Sequence, residues 1–255
     1  MCASASRTPN EEGWVDVSVP LRSGIVHWPD NPPVRIDRML DMERGGVANV
    51  SKISLGSHTG THMDAPIHFV RDGEGMDRMP LDATIGRARV IETQDPVSIK
   101  PDELGPHGIG RGERILFKAR NSSQEWWTQD FIEDFVYVSR EAARYLADRE
   151  VRTIGVDYLS VGGFREDGVE THQALLGAGI WVIEGLNLSS VGPGGYELIC
   201  LLLKVEDGDG ARPGDLAQVK RNGIRGAGES TIGYADRPLW RTPQCDGGYR
   251  DHDGI

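Results

Sequence analysis

The run Ser57-His58-Thr59-Gly60-Thr61-His62-Met63-Asp64-Ala65-Pro66-Ile67-His68-Phe69 constrains this chain more than any other stretch. It gathers four side chains able to bind a divalent cation or move a proton within eleven residues. Gly60 and Pro66 oppose a regular helix through it, so the expected carrier is a bent backbone that turns successive side chains toward one point. Imidazole nitrogens and a carboxylate oxygen are donors that Zn²⁺ and Mn²⁺ accept, which makes His58, His62 and Asp64 candidate ligands. His68, beyond the rigid Pro66, is placed to stand beside a cation without binding it and to transfer protons near neutral pH. The pattern is not the helical His-Glu-x-x-His of zinc proteases, because Thr59 follows His58. A polar loop whose histidines only cap and hydrogen-bond explains one His-x3-His pair, but less well a run that also holds Asp64 and His68.

The totals narrow the partners. With 28 basic against 39 acidic residues the net charge is −11, the wrong sign for a nucleic-acid surface, so a small-molecule substrate is expected. Cys2, Cys200 and Cys245 lie far apart and form no C-x-x-C pair, which argues against a disulfide framework. Cys200 sits inside Leu198-Ile199-Cys200-Leu201-Leu202-Leu203 and is expected to pack. No signal-peptide core precedes Gly13 and no apolar run reaches membrane-spanning length, so a cytoplasmic protein with no membrane contact is expected.

Residues 1–12 read as a disordered leader, 13–220 as one domain and 221–255 as a polar, glycine-rich extension holding Trp240 and Cys245. Trp14 to Val19 alternates as a half-buried strand, and strands are expected at Val34–Leu40, Ala48–Leu55, Ile85–Thr93, Arg114–Lys118 and Thr153–Asp157. The charged, glycine-rich segment from Arg71 to Asp77 is expected to be a mobile loop at the site's edge. Ser139 is a cap for a helix running to Arg149. The Trp126-Trp127 pair suits either core or an oligomer contact. His27 and His107 read as surface residues, and Glu206 to Gly210 as a turn, since the acid that would complete a calcium loop is missing. Strand density with few helices gives an α+β class built on a β-barrel-like sheet.

The segment HTGTHMDAPIHF resembles the signature of the metal-dependent cyclase-like hydrolases, which include bacterial kynurenine formamidases and isatin hydrolases. The resemblance extends over Trp14 to Lys220. It implies a swivelling β/β/α architecture, a homodimer or higher homo-oligomer, and an active site walled in part by a neighbouring subunit. It implies further that His172 and Glu184, twelve residues apart, join His58, His62 and Asp64 around one or two Zn or Mn ions, and that Trp28 forms part of the substrate pocket. On spacing alone, His172 and Glu184 read as surface residues. Where formamidases tend to carry a second histidine after the matched one, this chain has Gln173.

The chemistry that follows is hydrolysis of a small amide, imide or ester by metal-activated water, with His68 shuttling the proton. Two other readings stand beside it. One is a cyclase or lyase of an aromatic or natural-product pathway on the same scaffold, and the other is a non-catalytic metal-binding protein.

Overall fold

The structure, a computed structural model, describes residues 9–214 and 217–222. Along the chain, β1 (Trp14–Asp16) precedes a hairpin of β2 (Arg35–Leu40) and β3 (Val50–Ser54), followed by β4 (His62–Asp64), β5 (Ile85–Glu92), β6 (Ser98–Ile99) and the one-turn helix α1 (Pro101–Leu104). Next come β7 (Arg114–Lys118), β8 (Tyr137–Val138), α2 (Arg140–Asp148), β9 (Thr153–Val156), α3 (Gly168–Gly177) and β10 (Trp181–Glu184). The described part closes with β11 (Gly194–Ile199), β12 (Gly210–Ala211) and β13 (Gln218–Arg221).

Among the described residues nine strands make one sheet, ordered β1-β13-β11-β5-β7-β9-β10-β4-β12 and curled into a half-barrel. Its middle, β5-β7-β9-β10, is parallel, and the flanking pairs β11/β5 and β10/β4 are antiparallel. The α+β class expected from strand density is the class found.

Period-two alternation divides the interior between the two faces of this sheet. Val90, Leu116 and Ile183 join Met63, Tyr196 and Val219 on one face, while Ile91, Ile115, Phe117 and Val182 meet Leu104, Leu146, Leu175 and Leu176 from the helices on the other. The Ser139 cap forms as its residue type predicts: its hydroxyl accepts from the Ala142 N–H at 3.1 Å, and Ala142, Ala143 and Leu146 are buried. Trp126 and Trp127 belong to a third cluster with Phe135 and Tyr158, so this pair is core. Cys200 is buried among apolar side chains.

One expectation is adjusted. The Arg71–Asp77 segment is tied down: Ile67 N–H donates to the Glu74 carbonyl and Met76 is buried. The strand β13 runs to Arg221, which pairs with Tyr196. Of the leader, residues 9–12 are described, and the Asn10 side chain there accepts from the Glu12 and Trp14 N–H groups. Residues 1–8 and 223–255, with Cys2, Trp240 and Cys245, lie outside the described residues.

The hairpin β2–β3 forms its own two-stranded sheet. Every residue of β3 is exposed, and Met39 (60 %), Val50 (46 %) and Ile53 (54 %) present apolar surface to solvent.

Candidate metal centre

The centre is set by strand register. In the antiparallel pair β4/β10, His62 stands opposite Glu184 and Asp64 opposite Val182, so His62, Asp64 and Glu184 project from one face of the sheet. The bent carrier expected here is therefore a straight strand in part. His62 and Asp64, at i and i+2, are brought together by the alternation that would separate immediate neighbours. Helix α3 covers the same face and delivers His172 from its second turn.

Immediately before β4 the backbone turns at Gly60 (φ +60°), against Gly185 (φ +69°) just past β10. A Cβ on Gly185 would overlap the Gly60 carbonyl oxygen, and its positive φ disfavours any other residue. Thr61 Oγ1 ties the two turns by donating to the Gly185 carbonyl at 2.7 Å. Gly185→Ala is expected to cost at least about 2 kcal/mol of stability, from left-handed strain plus the overlap. Urea unfolding would measure it, and an unchanged midpoint would show the contact to be soft.

The donor atoms converge. His62 Nε2 lies 3.1 Å from Glu184 Oε2 and 3.5 Å from Asp64 Oδ1, while His172 Nε2 lies 3.4 Å from Glu184 Oε1 and 3.7 Å from Asp64 Oδ2. His58 Nδ1 is 2.8 Å from Asp64 Oδ1. The His68 ring stacks on that of His58 with centroids 3.8 Å apart. All five residues expected to hold metal, and His68 with them, thus meet at one place. Two subsets, His62/Asp64/Glu184 and His58/Asp64/His68, each offer ligand atoms within 4.8 Å of one another, and Asp64 is common to both.

Hydrogen bonds orient the imidazoles. His62 Nδ1 pairs with the Gly60 carbonyl at 2.9 Å and His172 Nδ1 with the Gly168 carbonyl at 2.5 Å. A carbonyl only accepts, so Nδ1 carries the proton in both rings and Nε2 turns its lone pair inward, the arrangement of a metal-binding histidine. His58 Nε2, His62 Nε2 and Asp64 Oδ2 are buried and lack a hydrogen-bond partner. A lone pair facing carboxylate oxygens in a buried site is costly unless positive charge lies between them, so this donor set fits a divalent cation.

The electrostatics agree. Burial lowers the His58 pKa, but Asp64 and then Asp209 outweigh it and raise the group to about 10. His172 is likewise lowered by burial and carried upward overall by Glu184. Burial would raise Asp64, yet the His58 charge holds it well below the carboxylate range. These imidazoles sit in a negative field that a cation would also feel. His68 goes the other way: burial is the largest influence and lowers its pKa, which favours the neutral ring.

Above the centre opens a cavity of about 300 Å³, with Trp28, Phe69, Leu159 and Phe164 as apolar walls and His58, His68, His172 and Glu184 at its base. Trp28, known from the resemblance alone, does line it, with Phe131 and Phe164 edge-on at 5.3 Å each. Phe69 stacks on His172 with centroids 4.2 Å apart. Gln173 is exposed, so that departure from the family pattern leaves the centre untouched.

Sequence reasoning missed Asp209 and Arg212, read as part of a plain turn and its sequel. The strand β12 pairs with β4, Asp209 Oδ2 stands 3.7 Å from His58 Nε2, and Arg212 Nη1 donates to the Thr59 carbonyl at 2.6 Å. No local pattern marks them, since only the long-range pairing brings them to the loop.

Comparison with known proteins places this geometry. The Cyclase family, described as "Putative cyclase", matches residues 15–162. Kynurenine formamidase of Bacillus cereus is 33 % identical over 198 residues, which cover 78 % of this chain and 93 % of that protein. A solved structure described as a potential metal-dependent hydrolase with cyclase activity is 32 % identical, with a TM-score of 0.71 over 82 % of this chain and 98 % of the other. Isatin hydrolase A from Ralstonia solanacearum, at 23 % identity, shares the fold with a TM-score of 0.71 over 82 % and 92 % of the two chains. Fold and donor set are together those of a metal-dependent hydrolase. The chain belongs to the Cyclase family.

Proposed function

We propose that this protein hydrolyses the acyl carbon–nitrogen bond of a small aryl amide or cyclic imide, or the acyl carbon–oxygen bond of the related ester. Divalent cations would be held by His58, His62, Asp64, His172 and Glu184, with His68 as proton carrier. The observation that carries the reading is the convergence of buried, unpartnered donor atoms beneath an aromatic-walled pocket. The formamidase relatives and the hydrolase structures support the same chemistry.

A bound divalent cation supplies Lewis acidity and makes water nucleophilic near neutral pH. The chain's own residues do the rest. Trp28 and Phe164, packed edge-on to one another, offer apolar wall against which a planar ring can lie, and Phe69 stacks on His172. His68, half-buried and neutral, takes the proton from the attacking water and returns it to the leaving nitrogen or oxygen. Imidazole and carboxylate donors suit zinc and manganese alike, and the five donors would hold one or two ions per chain.

The test is elemental analysis of protein purified without chelator, followed by mass analysis of products from N-formylkynurenine and isatin. A metal-loaded protein that adds one water to either supports the reading. Product formed without the gain of water would favour a cyclase or lyase, and stoichiometric metal without turnover a binding protein.

The chain works as a homodimer in this reading, in the cytoplasm, as its sparse cysteines suit. The apolar side chains of the β2–β3 hairpin support self-association, since such a patch on a two-stranded arm is left unburied within one subunit. The double variant Met39→Asp/Ile53→Asp is expected to run as a monomer in light scattering where the parent runs as a dimer. A variant that stays dimeric would move the interface elsewhere.

A further inference from the structure

Resting on the hydrolytic reading above, we propose that Phe164 sets the size of substrate the pocket admits. Its ring is the one side chain that lines both the cavity over the centre and a second, outer cleft. The inner cavity measures about 300 Å³ and the outer about 530 Å³, the latter lined in part by Arg120, Glu133, Tyr137 and Arg165. Among their lining residues only Gly163 and Phe164 are common to both.

Gly163 adds no side chain to this wall and can accept none, because a Cβ there would press on the Glu166 carbonyl and the Tyr137 ring. Of the residues shared by the two spaces, Phe164 alone contributes a side chain. That ring is half-buried, edge-on to Trp28 at 5.3 Å and to Phe131 at 4.9 Å. Its loop is anchored on both sides: before the ring the Val161 carbonyl accepts from the Val138 N–H at 2.8 Å, and after it the Asp167 carboxylate accepts from the Arg140 N–H at 3.1 Å. A wall on so anchored a loop excludes by size.

The inner space lies at the lower end of the roughly 300–1,000 Å³ typical of ligand sites, enough for a single-ring amide. Removing the ring joins the two spaces and more than doubles the room. The cations of the outer cleft are already matched, Arg165 by Glu133 and Arg120 by Asp134. The added space therefore suits a second ring or a neutral polar tail more than an anion.

The test compares formanilide with 4-phenylformanilide on metal-loaded parent, Phe164→Ala and Phe164→Leu, each checked for an unchanged melting transition and metal content. The ratio of kcat/KM for the larger substrate to that for the smaller is expected to rise by at least about tenfold in Phe164→Ala, with Phe164→Leu between. An unchanged ratio in variants that still cleave formanilide would overturn the proposal.

Calorimetric titration of the same proteins with benzoate and biphenyl-4-carboxylate reads the partition without turnover. Phe164→Ala is expected to gain affinity for the larger acid alone. That gain in proteins that cleave neither amide would refute the hydrolytic reading and keep the partition, whereas no gain would refute the partition even if both amides were cleaved. Should Phe164→Ala fail to fold, the Phe164→Leu data decide by the same criteria.

Discussion

Asp64→Ala is expected to empty the centre. Asp64 is fully buried, lies 2.8 Å from His58 and within 3.5–3.7 Å of His62 and His172, and belongs to both sets of candidate ligands. Loss of an outer-sphere partner typically weakens metal affinity by 10- to 100-fold, so removal of a shared direct donor should exceed about a hundredfold. Elemental analysis after dialysis should find the variant close to metal-free while the parent keeps its ions. The same change strips His58 of its nearest counter-charge, and about 3 kcal/mol of stability should go with it, as when one partner of a buried pair is deleted. Full metal content in a folded Asp64→Ala protein would remove the centre from this face of the sheet.

His68→Ala separates chemistry from binding. The ring stacks on His58 and borders the cavity, and burial lowers its pKa, which leaves a ring nitrogen free to accept a proton. Turnover is expected to fall by about 10²- to 10⁴-fold, the usual worth of a positioned acid–base group, with metal content unchanged. The outcome has a clear alternative, because His68 also falls within ligand distance of His58 and Asp64. If the purified variant loses metal, His68 is a ligand and the proton must be carried by another group.

Much of this architecture could be read from local pattern. Ser139 followed by Ala142, Ala143 and Leu146 specifies a capped amphipathic helix, and the alternation through Ala88 and Val90 specifies a strand, because caps and faces depend on near neighbours. The density of His58, His62, Asp64 and His68 announced a cation site for the same reason. His172 and Glu184 were legible only through a family resemblance, since their nearness to His62 arises from the pairing of β10 with β4 and the packing of α3 across it. Asp209 and Phe164 gave no signal at all. One is carried in by a two-residue strand and the other by a loop whose course is set by contacts with Val138 and Arg140.

The facing of His62 by Glu184 has a further meaning for how this sheet assembles. A slip of β4 by one residue against β10 would throw His62 and Asp64 to the opposite side, into the apolar layer of Met63 and Ile183, and leave Glu184 facing the other way. Ion capture and strand alignment thus select the same arrangement. A bound cation would therefore proofread the fold, favouring the one alignment in which its ligands meet over shifted pairings that strand charges in oil.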